Sequence, residues 1–458
     1  MRYPPSGANA GTGSSPVSAS RPGIAQETLA AADNLPRSTD TERLEAESLT
    51  RPLAKRSPPR EPVAKPLVAD DFPSTAATPQ ATPAGPPPHP LDQPHSRLDV
   101  ISGRWTMFAN QRGGRPNDFE FTATPKLTQD GCPFCRGNEK CTPEPVLVLP
   151  PEDSVACEFG SAGRGDWGVR VVPNKYPAVA THRVDEPVGG RKVARPRSEG
   201  SDNVEEILFP VRPICGGHEV FIESPEHFTS LVELDLAQVI SLLKVYQIRI
   251  RHWASQPSIR YVSLFKNAGP AAGASLLHPH SQLIAVTELP NSIRGTLDRF
   301  RRHHARSGCC LQCDVLRAEL ESKRRLIAVT DSLVVYCPFA SYLPMLMRIT
   351  TRRHVERYED LSDSEIDGLA RLIRRAIGWL NTLYPGVAYN FLIHTRPPSV
   401  GVQEGFHWSF ELFPRLTQIA GFEWSCETII NPMLPEDAAT QLREIALREN
   451  PLRHRDPN

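Results

Sequence analysis

The sequence predicts an α+β fold in which antiparallel sheets carry packed helices and one run of elements occurs twice. Three observations lead there. Two Cys-x-x-Cys pairs, Cys132/Cys135 and Cys310/Cys313, each head a similar succession of elements; strands outnumber helices; and most connections are short. After the first pair, Glu219-Val-Phe-Ile-Glu223 alternates as a strand does. A long helix with an apolar period then spans about Ser230 to Trp253, followed by strands at Tyr261 to Lys266 and Ser281 to Val286. After the second pair comes a strand at Met345 to Thr350 and a helix opened by the capping box Ser362-x-x-Glu365 and running to about Tyr384. Strands at Tyr389 to His394 and Trp408 to Phe413 complete that half. The two repeats are expected at 96–300 and 301–450, with a short tail at 451–458.

The 458 residues suffice for two ordinary domains or one large duplicated one. Residues 1–95 stand apart: Pro, Ala, Ser, Thr and charge dominate, as in Pro83-Ala-Gly-Pro-Pro-Pro-His-Pro90, and no period is sustained. Such a composition buries too little apolar surface to offset the entropy of ordering, so a disordered tail is expected. Val184 to Asn203 reads as a polar surface insertion. The 52 basic and 52 acidic side chains balance, so neither nucleic acid nor an anionic membrane is required as a partner. No stretch approaches the roughly 20 apolar residues of a spanning helix, and no apolar signal region follows Arg2; a cytoplasmic location is expected.

Ten cysteines are too few for a disulfide scaffold at this length. Cys141, Cys157, Cys215, Cys309, Cys337 and Cys426 read as small hydrophobes or surface thiols. The paired cysteines read differently, because two thiolates three apart can grip one tetrahedral zinc and leave two positions for nitrogen. The repeat supplies the nitrogens: His227 follows the first-half strand and His278 precedes a later one, while His354 and His407 hold the matching places in the second half. A lone histidine is usually a packed or solvated side chain, but recurrence in both halves points to two Cys2His2 sites, with His394 competing for a place in the second. Redox chemistry is disfavoured, since neither pair opens a helix after a strand in a βαβ context.

The run Asn267-Ala-Gly-Pro-Ala-Ala-Gly-Ala-Ser-Leu-Leu-His-Pro-His-Ser-Gln282 joins a small-residue loop to two histidines separated by a proline. Gly269 and Gly273 allow backbone N–H groups close to phosphate oxygens, and Ser275 can add a hydroxyl donor. Pro279 holds His278 extended. With metal on His278, His280 is left as a fixed neutral imidazole, a good nucleophile toward an α-phosphorus.

This segment resembles the active-site motif of the galactose-1-phosphate uridylyltransferase family within the histidine-triad superfamily, and Ser281 before the Gln is similar to its ADP-glucose phosphorylase branch. Gly103-Arg-Trp105, Gln111-Arg-Gly-Gly-Arg-Pro116, Cys132-Pro-Phe-Cys-Arg-Gly-Asn-Glu139, Val172-Pro-Asn-Lys-Tyr-Pro177, His218-Glu-Val-Phe-Ile-Glu-Ser-Pro-Glu-His227, Phe410-Glu-Leu-Phe-Pro-Arg-Leu416 and Ala420-Gly-Phe-Glu423 extend the resemblance from about Leu98 to Glu449. It implies duplicated histidine-triad-like repeats with two structural zinc ions, a homodimer that completes each site, and ping-pong transfer of a nucleoside monophosphate through His280. Arg112, Arg115, Asn174 and Asn267 are implied as nucleotide and phosphate contacts, Gln282 as the amide on the transferring phosphoryl group, and Glu423 as a sugar ligand beside Phe422. Hydrolases of the superfamily carry a third histidine where Gln282 stands. His407-Trp-Ser409 puts a serine where the first half has His280, so one nucleophile per chain is expected.

The leading expectation is a hexose-1-phosphate nucleotidylyltransferase of the UDP-glucose type, acting on a nucleotide sugar and a sugar 1-phosphate. The alternative is an ADP-glucose phosphorylase passing AMP to inorganic phosphate. Thr417 and Ile429, where uridylyltransferases proper have Lys and Gln, favour the phosphorylase-like branch. A zinc-stabilised nucleotide-binding protein without turnover is the third reading, held if His280 is itself a metal ligand.

Overall fold

The computed structural model describes residues 94–109, 131–151, 167–180, 208–209, 214–401 and 405–449. The tail up to residue 93, the Val184 to Asn203 insertion, Arg112, Arg115, Cys157 and residues 451–458 lie outside the described residues. Short strands β1 (His95–Leu98) and β2 (Trp105–Phe108) open the described chain. β3 (Leu147–Leu149), β4 (Val169–Pro173) and β5 (Gly216–Ile222) precede helix α1 (Leu236–Ala254), and β6 (Tyr261–Ala268) and β7 (His280–Val286) follow it. Helices α2 (Asn291–Ser307) and α3 (Leu311–Ser322) lead into β8 (Leu326–Val329), β9 (Leu333–Tyr336) and β10 (Met347–Thr351). The long α4 (Asp363–Leu383), β11 (Tyr389–His394), β12 (Ser409–Pro414), the short α5 (Gly421–Cys426), β13 (Ile429–Asn431) and α6 (Pro435–Glu449) complete it.

Ten strands form one sheet in the order β3-β4-β5-β7-β6-β11-β12-β10-β9-β8, and every neighbouring pair is antiparallel. Each half lays down its five strands in the same spatial order, the fourth innermost and the first outermost, and the halves meet where β6 pairs with β11. A second sheet sets β2 between β1 and β13. Mixed α+β structure on a large antiparallel sheet is therefore what the chain adopts; the small sheet is mixed, because β13 pairs with β2 in parallel.

Helices α1, α4 and α6 cover one face of the large sheet, and Leu242, Tyr246, Ile373, Trp379, Phe391, Trp408 and Phe410 form the main core there. Alternation along each strand sends the next residues to the other face. In the second half that face is closed by Leu316 and Leu320 of α3 against Val334 and Tyr336. In the first half it carries Val172, Val220 and Ile222, with His280 and Gln282 of β7 directly opposite Ile222 and Val220 of β5.

Local chemistry explains where elements begin. The capping box at α4 is present as expected: Ser362 Oγ accepts from Glu365 N–H and Glu365 Oε2 accepts from Ser362 N–H at 2.8 Å. The helix expected from Ser230 is divided. Ser230 and Glu233 cap a separate single turn, Leu231–Glu233, and Asp235 then starts α1 by accepting from Gln238 N–H at 2.7 Å. The strand expected from Met345 begins at Met347, because Met345 takes a left-handed φ of 57°. Cys310 is the N-cap of α3, so the second Cys pair does open a helix, but one that follows α2 rather than a strand. Among the described residues no helix is long and apolar enough to cross a membrane.

Trp408 is fully buried, stacks edge-on at 5.8 Å from Tyr358 and donates Nε1–H to Thr351 Oγ1 at 3.0 Å. Trp408→Ala should destabilise the chain by roughly 3–5 kcal/mol, read as a lowered urea midpoint at unchanged m-value. A midpoint within error of the parent would mean that this core tolerates the cavity.

Candidate active site and metal clusters

The loop after Gly131 brings Cys132 and Cys135 beside His227, which follows β5, and His278, which precedes β7. One ligand atom from each of the four lies within 4.8 Å of the others. His278 Nε2–H donates to the Ser224 carbonyl at 2.8 Å, and since a carbonyl only accepts, Nδ1 keeps its lone pair. That Nδ1 faces Cys132 Sγ at 3.7 Å and Cys135 Sγ at 3.5 Å, while His227 Nδ1 lies 3.2 Å from Cys135 Sγ. A tetrahedral ion at usual thiolate and imidazole bond lengths needs about 3.6 Å between such atoms. Burial lowers the His278 pKa to about 4, which keeps the imidazole neutral, as a ligand must be.

The second half repeats the arrangement with Cys310, Cys313, His354 and His407. Cys313 Sγ lies 3.4 Å from His354 Nδ1 and 3.3 Å from His407 Nδ1, and His407 Nε2–H reaches Thr351 Oγ1 at 3.1 Å. The hydrogen bond from Cys310, then those from His354 and His407, lower the Cys313 pKa and favour its thiolate. His394 is not a member: its Nε2 pairs with Glu411 at 3.4 Å. Each cluster could hold a metal ion. Of the remaining cysteines, Cys215 and Cys337 are buried and Cys141, Cys309 and Cys426 exposed, in keeping with packing or surface roles.

His280 opens β7 and is 6% exposed. Its Nδ1–H donates to the His278 carbonyl at 2.8 Å, which fixes the tautomer and leaves the Nε2 lone pair free; its ring is not part of the metal cluster. Desolvation first, and the Lys266 ammonium second, lower its pKa, so the imidazole is neutral. Phe134, between the two cysteines, sets its ring edge-on 5.4 Å from His280. Two residues along the same face, Gln282 Oε1 accepts from His218 Nε2 at 2.8 Å and from Asn174 Nδ2 at 3.4 Å.

The loop before β7 is shaped by its glycines. Gly269 (φ 84°, ψ 158°) and Gly273 (φ 88°, ψ 16°) flank a single turn, Pro270–Ala272, in conformations that side chains with a Cβ rarely adopt. Asn267, on β6, accepts at Oδ1 from Asn390 Nδ2 at 2.8 Å, and Asn390 also donates to the Ala272 carbonyl at 2.9 Å, so the second half braces this loop. Ser275 lies exposed on it. Glu423 lies elsewhere, in α5, where its carboxylate accepts from Ala420 N–H, and its neighbours Phe422 and Trp424 are exposed.

Sequence reading assigned no role to the residues beneath His280. Lys266 and Glu223 are buried; Lys266 Nζ donates to Glu223 Oε2 at 2.6 Å and to the His280 carbonyl at 3.0 Å. Tyr246 OH lies 3.3 Å from Glu223 Oε1 and 2.6 Å from Ser281 Oγ. The signal in the sequence was slight: a charge directly after an apolar strand residue, Glu223 after Ile222 and Lys266 after Phe265.

Comparison with known proteins agrees with this geometry. Residues 168–290 match the family described as galactose-1-phosphate uridyl transferase, N-terminal domain, and residues 238–451 match a domain of unknown function (DUF4921). The chain is 30% identical over 359 residues to the ADP-glucose phosphorylase of Arabidopsis thaliana, spanning 77% of this chain and 93% of that protein. It is 26% identical over 357 residues to the galactose-1-phosphate uridylyltransferase of Thermotoga maritima, spanning 76% and 97%. The crystal structure of the Arabidopsis phosphorylase with bound ADP-glucose superposes with a TM-score of 0.61 at 29% identity, covering 77% of this chain and 99% of that one. Likeness of this extent, on a chain whose neutral buried histidine stands beside a Cys2His2 cluster, makes the protein a nucleotidyltransferase of the galactose-1-phosphate uridylyltransferase family.

Proposed function

We propose that the protein moves a nucleoside monophosphate from a nucleotide sugar to a phosphate acceptor through a covalent intermediate on His280, with ADP-glucose as donor and inorganic phosphate as acceptor. The observation that carries the chemistry is the His280 tautomer: Nδ1–H is held by the His278 carbonyl, and Nε2 is left as a fixed, neutral nucleophile. Nε2 attacks the α-phosphorus, the bond from that phosphorus to the bridging oxygen breaks, and glucose 1-phosphate leaves. An oxygen of inorganic phosphate then attacks the same phosphorus, the phosphorus–nitrogen bond breaks, and ADP leaves. The groups displaced from phosphorus, glucose 1-phosphate in the first step and the neutral His280 imidazole in the second, are weak bases, so no proton donor is needed. The Gln282 amide suffices by donating hydrogen bonds to charge developing on the phosphoryl oxygens. Asn174, Asn267, Gly273 and Ser275, with Arg112 and Arg115, bind the nucleotide and its phosphates in this scheme.

Support for adenosine and phosphate comes from the Arabidopsis relative, more similar than the Thermotoga uridylyltransferase, and from Thr417 and Ile429. Uridylyl transfer to a hexose 1-phosphate, the first expectation from sequence, remains the second reading, favoured by the family match over residues 168–290. The two halves are read as repeats, 96–300 and 301–450, and Glu423 as a sugar contact given to the site of the partner in a homodimer. Zinc is the metal proposed for both clusters, Cys132, Cys135, His227 and His278 holding one ion and Cys310, Cys313, His354 and His407 the other. When bound, zinc supplies structural cross-linking with all four positions filled by protein.

Purified protein should contain two equivalents of zinc by elemental analysis. His354→Ala should leave one and His394→Ala two; the reverse pattern would disprove the proposed second ligand set. Incubation with ADP-glucose labelled at the α-phosphorus should leave acid-labile, base-stable label on the protein, released as ADP by phosphate. His280→Ala should abolish the label and lower turnover on the order of 10⁴-fold or more. Label from UDP-glucose alone would select the second reading, and no label from either donor would leave only the non-catalytic nucleotide-binding reading.

A further inference from the structure

The pairing of β5 with β7 sets His218 opposite Ile284 and Val220 opposite Gln282, so His218 and Gln282 are diagonal neighbours on the face that carries His280. Neither the family resemblance nor the chemistry of transfer gives His218 a task. Its hydrogen bonds do. A backbone N–H can only donate, and Ala178 N–H points to His218 Nδ1 at 3.1 Å. The ring proton is therefore on Nε2, and Nε2–H donates to Gln282 Oε1 at 2.8 Å. A second backbone donor, Tyr176 N–H, reaches Asn174 Oδ1 at 2.8 Å and so sends Asn174 Nδ2 to the other side, 3.1 Å from His218 Nε2 and 3.4 Å from Gln282 Oε1; because Nε2 carries the proton, the Gln282 oxygen is the acceptor of this pair.

Two backbone N–H groups thus fix the senses of two side chains, and both side chains end as donors on one acceptor. The Gln282 oxygen is thereby held inward, and its NH2 group is turned away from both. We infer that His218 is a positioning residue: it holds the Gln282 amide in the one orientation that offers N–H rather than C=O to the transferred phosphoryl group. In the flipped orientation the amide would face its own NH2 to two donors and its oxygen to an anion, unfavourable at both ends.

This inference rests on the proposed role of Gln282, and single-turnover formation of the nucleotidyl-enzyme from labelled ADP-glucose or UDP-glucose, whichever labels the parent, tests the two separately. His218→Leu removes the donor and should slow labelling roughly 10–100-fold, the range seen when an orienting partner is lost, with the donor concentration at half-saturation changed by less than about threefold. His218→Gln can place an N–H near the same oxygen and should restore most of the rate. In a Gln282→Ala background His218→Leu should have no further effect, because nothing is left to orient. Absence of label from the parent would sink the reading of the site itself. Parent labelling with His218→Leu at an equal rate, or an equal loss from His218→Leu in both backgrounds, would overturn the inference about His218. A rate as low in His218→Gln as in His218→Leu would overturn it too.

Discussion

The site depends on how firmly three peptide units, from His278 to Ser281, are held. Above the sheet, His278 is committed to the first Cys/His cluster and its carbonyl takes the proton-bearing nitrogen of His280. Below it, Lys266 grips the His280 carbonyl while bound to Glu223, whose own N–H donates to the Pro279 carbonyl at 3.2 Å. A fully buried ion pair is poor evidence of added stability, because desolvation of both charges offsets their attraction. Here it is better understood as a means of placement. The ammonium has a backbone oxygen as its third party, so the main chain of His280 cannot shift without stranding a buried charge.

The second half shows what the same frame does without that chemistry. Register puts Glu411 on β12 opposite Arg348 on β10, just as Gln282 lies opposite Val220. Although burial pushes Glu411 up, Arg348 and His394 hold its carboxyl below the usual range, and Tyr342 OH completes the set at 3.2 Å. An ionised glutamate locked this way only accepts hydrogen bonds, and the serine at 409 offers no imidazole. Similar strand order and a similar Cys/His cluster therefore frame a neutral imidazole on one side and a locked ion pair on the other.

Much of this was legible in the sequence, for identifiable reasons. The Cys-x-x-Cys spacing and the recurrence of histidines in matching places mark both clusters, because metal binding restricts residue type and local spacing together. His280 shows through the small-residue loop and the flanking Pro279. The partners of these groups were hidden. Lys266 and Glu223 lie 43 residues apart, and nothing local records that two strands will bring them together. His218 meets Gln282 only through strand register, which depends on the whole β5–β7 ladder. The hairpin of β8 and β9 was missed because runs as short as Leu326–Val329 carry little periodicity, and helices α2, α3 and α6 were not anticipated either. A recurring order of elements was legible, but not that all ten strands would join one sheet.

That shared sheet has a consequence for how such a chain could be divided. The innermost strands β6 and β11 pair over Leu264–Ala268 and Tyr389–Ile393, and Asn390 from one half braces the phosphate-loop candidate of the other. Severed halves would each present an unpaired edge, β6 or β11, of the kind that recruits foreign strands and aggregates. The second half is thus no dispensable passenger: it is the permanent cover for its neighbour's open edge and holds the neighbouring loop in shape.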